Sequence, residues 1–226
     1  METEPSDVDS RLAKEFNMIR NRAERPKLAI VDYGLGNQRS LQSSCRQLGY
    51  RAIISNEPAI LDQSNLLLLP GVGAFPAAMQ NLNRLNLVEY LQWASNQKKG
   101  IIGICLGMQL LTERSSELEE TQGIGLIPGE IKGITQEEWH IGWNNIEAKP
   151  RHSFLEKCDG AVMYFNHSFC YKGPEEYIAA VSRITPRGEP IVAAIKREHL
   201  VGLQFHPEKS QQNGLRLLDI AIKAVI

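Results

Sequence analysis

Between Lys27 and Ser115, short apolar runs alternate with stretches of helical spacing, and no other feature of the chain narrows its fold as far. "KLAIVDYG" is an apolar run ending in a glycine turn; "NQRSLQSSCRQLGY" follows with helical spacing and stops at a glycine, as a helix C-terminus does. "RAIIS" then reads as a strand, and "NLLLLPGVGAF" as a buried strand breaking into a glycine loop. "PAAMQNLNRLNLVEYLQWASNQ" reads as one long helical stretch, and "GIIGICLGMQLLTERS" as strand and helix again. Apolar strands separated by helices imply an α/β fold, a mostly parallel sheet covered by helices on both faces. Ligands of such sheets bind beyond the carboxyl ends of the strands.

From about Gly123 the pattern changes. "IGLIPGEIKGI", "NNIEAKP", "GAVMYFNHSFCY", "EYIAAVSRI", "IVAAIKREH" and "LVGLQFHPE" are short and strand-like, separated by Gly, Pro or charged turns. They predict antiparallel strands or hairpins added to the sheet in the C-terminal half, closed by a helix over "NGLRLLDIAIKAV". The 226 residues, 42% hydrophobic and 23% charged, suit one domain, assigned to residues 26–226. Residues 1–25 read as an N-terminal extension: acids and bases mix there as they do not in transit peptides, and Ser10 can cap a short helix bearing Leu12, Phe16 and Ile19.

Composition also excludes classes of function. A formal net charge of -1 with no long run of either sign argues against nucleic acid as a partner. No stretch approaches the ~20 apolar residues needed to cross a bilayer. Cys45, Cys105, Cys158 and Cys170 lack C-x-x-C spacing, so they read as reduced thiols of a cytoplasmic protein, with no metal site among them.

Chemistry concentrates at three places. Gly103-Ile104-Cys105-Leu106-Gly107 is a nucleophile elbow with Cys in the Ser position: a sharp strand-to-helix turn whose glycines leave room for a strained, exposed nucleophile. A helix starting immediately afterwards favours thiolate character at such a position and offers the Leu106 N–H to an oxyanion. A nucleophile of this kind needs a base and the base an orienter; "LQFHPEKS" offers His206 and Glu208, with Pro207 biasing His206 toward an extended backbone. On an extended chain residues two apart face the same side, so Glu208 reaches one imidazole nitrogen while the other faces Cys105. Of the competing histidines 140, 152, 167 and 199, His152 and His199 lie among charged residues and read as surface groups. Pro70-Gly71-Val72-Gly73, after a buried strand, supplies backbone N–H groups free to turn toward a ligand.

"GICLGMQ", "PGVGAF" and "QFHPEKS" resemble the triad glutamine amidotransferases. "DYGLGNQRS", "HIGWNNI" and "YFNHSF" narrow the likeness to glutaminase subunits of imidazole glycerol phosphate synthases of histidine biosynthesis, over roughly residues 27–226. The resemblance implies Cys105 as nucleophile, His206 as general base and acid, Glu208 as orienting carboxylate, and Val72 and Leu106 as oxyanion donors. It implies glutamine contacts at Gly71, Gln109, His167 and Ser168, with no cofactor. It also implies a (β/α)8-barrel cyclase subunit as partner, docked over Asn37, Trp143, Asn144, Tyr164 and Lys209. Trp139, Asn166 and Phe169 stand where the family usually has proline, valine and tyrosine, at the pocket mouth and the expected partner surface. Two other functions stay open at this point: a paralogous subunit supplying ammonia to a nucleotide-sugar in surface-polysaccharide synthesis, and a free-standing hydrolase or cysteine peptidase. A non-catalytic binding or regulatory domain is a third, disfavoured by an intact thiol, base and carboxylate.

Overall fold

The computed structural model describes residues 26–134, 139–185 and 188–226; the N-terminal extension, with the helix expected after Ser10, lies outside them. β1 (Lys27–Val31) leads to α1 (Gln38–Gln47), then β2 (Arg51–Ser55), α2 (Pro58–Asp62) and β3 (Leu66–Leu69). Next come α3 (Phe75–Arg84), α4 (Leu87–Asn96), β4 (Gly100–Ile104) and α5 (Leu106–Leu110). Three short strands follow, β5 (Arg114–Ser115), β6 (Thr121–Gln122) and β7 (Glu130–Gly133), and then the long β8 (His140–Ala148). β9 (Val162–His167), β10 (Phe169–Lys172), β11 (Ile178–Ser182), β12 (Ile191–Arg197) and β13 (Leu200–Leu203) precede the closing helix α6 (Gln211–Lys223).

The main sheet has nine strands in the order β2-β1-β3-β4-β13-β12-β11-β8-β9. From β2 to β13 neighbours run parallel; from β13 to β9 they run antiparallel. Parallel pairing needs crossovers, and helices supply them, so side chains alternating along each strand meet a helical layer on either face. Leu28, Ile30, Leu66, Leu68, Ile102 and Ile104 face Leu41 and Cys45 of α1 and Leu217, Leu218 and Ala221 of α6. Ala29, Val31, Leu67, Leu69 and Ile101 face Phe75 and Leu82 of α3, Leu87 and Leu91 of α4, and Leu106 and Met108 of α5. This alternation of the parallel strands between two dry layers is the α/β architecture expected from their near-continuous apolar runs.

Three local expectations need correction. The long helical stretch is two helices, because Asn86 turns left-handed at φ 54°, a conformation Asn tolerates better than most residues. Phe75, Met79, Leu82, Leu87 and Leu91 from both sides of the break enter the same core layer, so the apolar periodicity runs straight through it. The helix after Cys105 is a single short turn, Leu106–Leu110, rather than a segment reaching Ser115. Finally, some of the later strands form a separate four-stranded sheet, β10-β7-β5-β6, which buries Ile131 and Tyr171 against the α3–α5 layer instead of extending the main sheet.

Candidate active site

β4 and β13 are parallel neighbours in the register Gly103↔Gly202 and Ile104↔Leu203, and both chains leave the sheet at its carboxyl edge. Cys105 follows Ile104 directly, with φ 53° and ψ −113°, a backbone conformation that side chains rarely adopt. Its N–H donates to the Leu203 carbonyl at 2.7 Å, and its carbonyl accepts the Met108 N–H at 3.0 Å, so the turn is pinned to β13 behind and to α5 ahead. The flanking glycines are required by contact: a Cβ on Gly103 would press on the Gly107 backbone, and one on Gly107 would run into the Leu69 carbonyl. α5 therefore starts flush against the end of β3, with the Leu106 N–H among those a first turn leaves without helical partners.

His206 and Glu208 come together as the sequence predicts, though by a different backbone route. His206 is extended (φ −101°, ψ 94°), but Pro207–Lys209 form a 3-10 turn that swings Glu208 back, placing Oε1 2.9 Å from His206 Nδ1. The imidazole also adjoins Cys105 in the lining of one cleft. Burial pushes His206 toward its neutral form, but the contacts with Cys105 and Glu208 outweigh it and raise the imidazole to about 10. Its two neighbours thus favour the cationic form of the ring. The His206 backbone is clamped as well: its N–H donates to the Tyr164 carbonyl at 2.9 Å and its carbonyl accepts from Ser210 Oγ at 2.6 Å.

A cleft of about 310 Å³ opens above Cys105, lined also by Val72, Gly73, Leu106, Gln109, Glu117, Trp139, Asn166, His167, Ser168, Phe169 and His206. Glu117 is the acidic side chain of this lining and escaped the sequence reading; its Oε2 accepts the Phe75 N–H at the start of α3 at 2.9 Å. Gln109, nearly buried on α5, donates from Nε2 to the Phe169 carbonyl (3.0 Å) and to Gln204 Oε1 (3.1 Å). His167 walls the cleft, but both its ring nitrogens are engaged inside the protein. Nδ1 donates to the Phe169 carbonyl at 2.8 Å, and Nε2 lies 3.0 Å from His140 Nδ1. Burial holds His167 down at about 3 and lowers His140 too, against the hydrogen bond with Asn144 that favours the charged form of His140. Trp139 Nε1 donates to Asn166 Oδ1 (3.2 Å) across the mouth.

Gly71 lies behind the cleft, where an added Cβ would meet Leu106, Gly107 and the Tyr33 hydroxyl. Tyr33 is a second residue that motif reading passed over: fully buried, it donates to the Pro70 carbonyl at 2.6 Å and ties the end of β1 to the loop carrying the Val72 N–H. Of the residues assigned to a partner surface, Trp143, Tyr164 and Lys209 form one continuous group. The Trp143 and Tyr164 rings meet edge-on at 5.6 Å, and Lys209 Nζ sits 5.6 Å from the centre of the Tyr164 ring. Asn37 directly precedes α1, and its side chain makes no capping hydrogen bond to the helix. Asn144 departs from the expectation: its carboxamide turns inward, donating to the Arg183 carbonyl (2.8 Å) and meeting His140 Nε2 at 2.9 Å. His199 is likewise half-buried rather than free at the surface, 3.1 Å from Ser95 Oγ near the opposite end of β13, and His152 is held at the Glu176 carbonyl.

A family model described as glutamine amidotransferase class-I matches residues 29–221. The imidazole glycerol phosphate synthase subunit HisH 2 of Vibrio vulnificus is 40% identical over 199 residues, 85% of this chain and 92% of its own. The HisH subunit of Lactococcus lactis is 38% identical over 88% of this chain and 99% of its own. That of Staphylococcus aureus is 42% identical over 87% and 96%. Among solved structures, a glutamine amidotransferase (TM-score 0.68, 14% identity, 85% of this chain and 98% of that one) shares the fold. So does PurLQS from Thermotoga maritima (TM-score 0.67, 18% identity, 88% and 98%).

Proposed function

The chain belongs to the class-I glutamine amidotransferases, and from that premise we propose that it is the glutaminase subunit of an imidazole glycerol phosphate synthase, releasing ammonia for a second subunit. One observation carries the reaction: Cys105 and His206 line one small cleft, with Glu208 2.9 Å from the imidazole Nδ1. The cleft volume, about 310 Å³, lies at the lower end of the roughly 300–1,000 Å³ of small-molecule sites and suits one amino acid.

Cys105 attacks the side-chain amide carbon of glutamine as a thiolate. The negative charge that develops on the amide oxygen is met by the Leu106 N–H and, once its peptide faces the cleft, the Val72 N–H. The tetrahedral adduct collapses as His206 gives its proton to the departing nitrogen, which leaves as ammonia, and a glutamyl thioester remains. Neutral His206 then takes a proton from water as the water attacks the thioester, and glutamate and the thiolate are released. Glu208, on Nδ1, keeps Nε2 aimed at the sulfur and supports the cationic ring in each half. Glu117 suits the α-ammonium of the substrate, and the Gln109 oxygen, left over after both Nε2 protons are used, is a second acceptor for it.

Ammonia protonates at neutral pH and loses its nucleophilicity, so the product has to be handed over inside a complex. The partner is a (β/α)8-barrel cyclase subunit docked over Trp143, Tyr164, Lys209 and Asn37, beside the exposed Trp139 and Ile141. Docking of the ligand-bound barrel turns the Val72 N–H into the cleft and switches hydrolysis on. The test is glutamate release by the purified chain alone, with the barrel subunit, and with the barrel plus its ligand. Activity that rises from near zero across that series is expected; full activity of the isolated chain overturns the switch, and no activity in any arm overturns the glutaminase.

A further inference from the structure

Gln204 belongs to the same "LQFHPEKS" segment as His206 and Glu208, yet the reaction above leaves it without a part. It is the first residue beyond β13 and fully buried. The register Ile104↔Leu203 sets it beside Cys105, the first residue beyond β4. Its carboxamide faces two groups of opposite need. Oε1 accepts from Gln109 Nε2 at 3.1 Å, and Nε2 points its N–H at the Cys105 sulfur, 4.0 Å away. Reversed, it would set an N–H against the N–H of Gln109 and an oxygen against the sulfur, so its direction is fixed.

Two consequences follow from that direction. Gln109 spends both Nε2 protons, one on Gln204 and one on the Phe169 carbonyl at 3.0 Å, so its oxygen is the atom left to face the cleft. The thiol donates to the Asn166 carbonyl at 3.8 Å, an oxygen that opposes negative charge on the sulfur, while Gln204 Nε2 donates to the sulfur and His206 lines the same cleft. His206 gives its proton away during the first half-reaction. Gln204 is the donor that keeps its protons throughout.

Resting on the reading of Cys105 as the nucleophile of a glutaminase, we infer that Gln204 is a positioning residue: one buried carboxamide turns the Gln109 oxygen toward the substrate and holds an N–H on the sulfur. It acts through two neighbours and touches no substrate.

The test uses the full chain with its barrel subunit. Gln204→Met keeps the length and volume of the side chain and removes both hydrogen bonds. It should lower kcat for glutamine hydrolysis by roughly tenfold or more and raise KM, with the melting temperature little changed. Alkylation of Cys105 by iodoacetamide, followed by peptide mass, reads the sulfur arm without glutamine; it should slow in Gln204→Met. Gln204→Leu, a second variant should the first fail to fold, likewise removes both hydrogen bonds, so kcat should fall and KM rise. Either variant with kcat, KM and alkylation rate within about twofold of the unsubstituted chain overturns the inference. A crystal structure with Gln204 turned away from both Gln109 and the sulfur overturns it too. Absence of hydrolysis in the unsubstituted complex instead sinks the glutaminase reading, and the alkylation arm still decides the contact with sulfur.

Discussion

Cys105 sits at φ 53° and ψ −113°, where a glycine would rest without strain, and it stays there because β13 holds its N–H and α5 its carbonyl. Strain of this kind costs about 1–3 kcal/mol and is tolerated where a side chain must be thrust out for chemistry. Both Cys105→Ala and Cys105→Gly should lose glutamine hydrolysis. The glycine variant should nevertheless unfold in urea with about 1 kcal/mol more stability than the alanine variant, the reverse of the usual order. His206 carries a pH signature. Burial disfavours its charge, but Cys105 and Glu208 raise it from 6.5 to about 10, so the stability it contributes is complete below 6.5 and is lost as pH rises through 10. Urea unfolding across that window should show the gap between the unsubstituted chain and His206→Asn closing toward the alkaline end. Cys105, His206 and Glu208 were legible in the sequence because each stands in a short motif whose spacing has a local meaning. Gln204 stands in the same motif, but its partners depend on the β4/β13 register. Glu117 lies in the charged stretch "SSELEE", and only the fold turns it into a cleft.

Among the elements, the junction of β3, β4 and α5 decides whether the elbow forms. Gly107 lies directly on the Leu69 carbonyl, leaving no place for a methyl group between a strand end and a helix start that are both fixed by hydrogen bonds. Gly107→Ala should therefore cost on the order of 1–3 kcal/mol in urea unfolding and remove glutamine hydrolysis by displacing α5 and the Leu106 N–H. A variant with unchanged stability would mean the junction is looser than its geometry. The parallel strands β1, β3, β4 and β13 were legible as apolar runs because both their faces are buried. The break at Asn86 was not, since both halves present apolar residues to one core layer, and the second sheet was not, since a strand's partner is a tertiary choice that alternation alone leaves open.

At the scale of the whole molecule, the cleft and the exposed aromatic group lie at one end. Trp143 is 48% exposed and packs on Tyr164, whose carbonyl holds the His206 N–H, so the proposed docking surface and the proposed base both contact β9. A tryptophan at the centre of an interface typically costs ~2 kcal/mol or more when truncated. Trp143→Ala should weaken binding of the barrel subunit by at least that much in titration calorimetry, with the melting temperature of the free chain little affected; unchanged affinity would move the interface elsewhere. Asn144, counted at that surface from its motif, instead reaches inward to His140, a distinction that residue order along β8 could not convey. The central claim, hydrolysis through a thioester on Cys105, is tested most directly by mixing the chain and its barrel subunit with glutamine, quenching in acid during turnover and weighing the Cys105 peptide. The account predicts a glutamyl adduct on Cys105, and neither adduct nor glutamate release in Cys105→Ala. Sustained glutamate release by Cys105→Ala would contradict it.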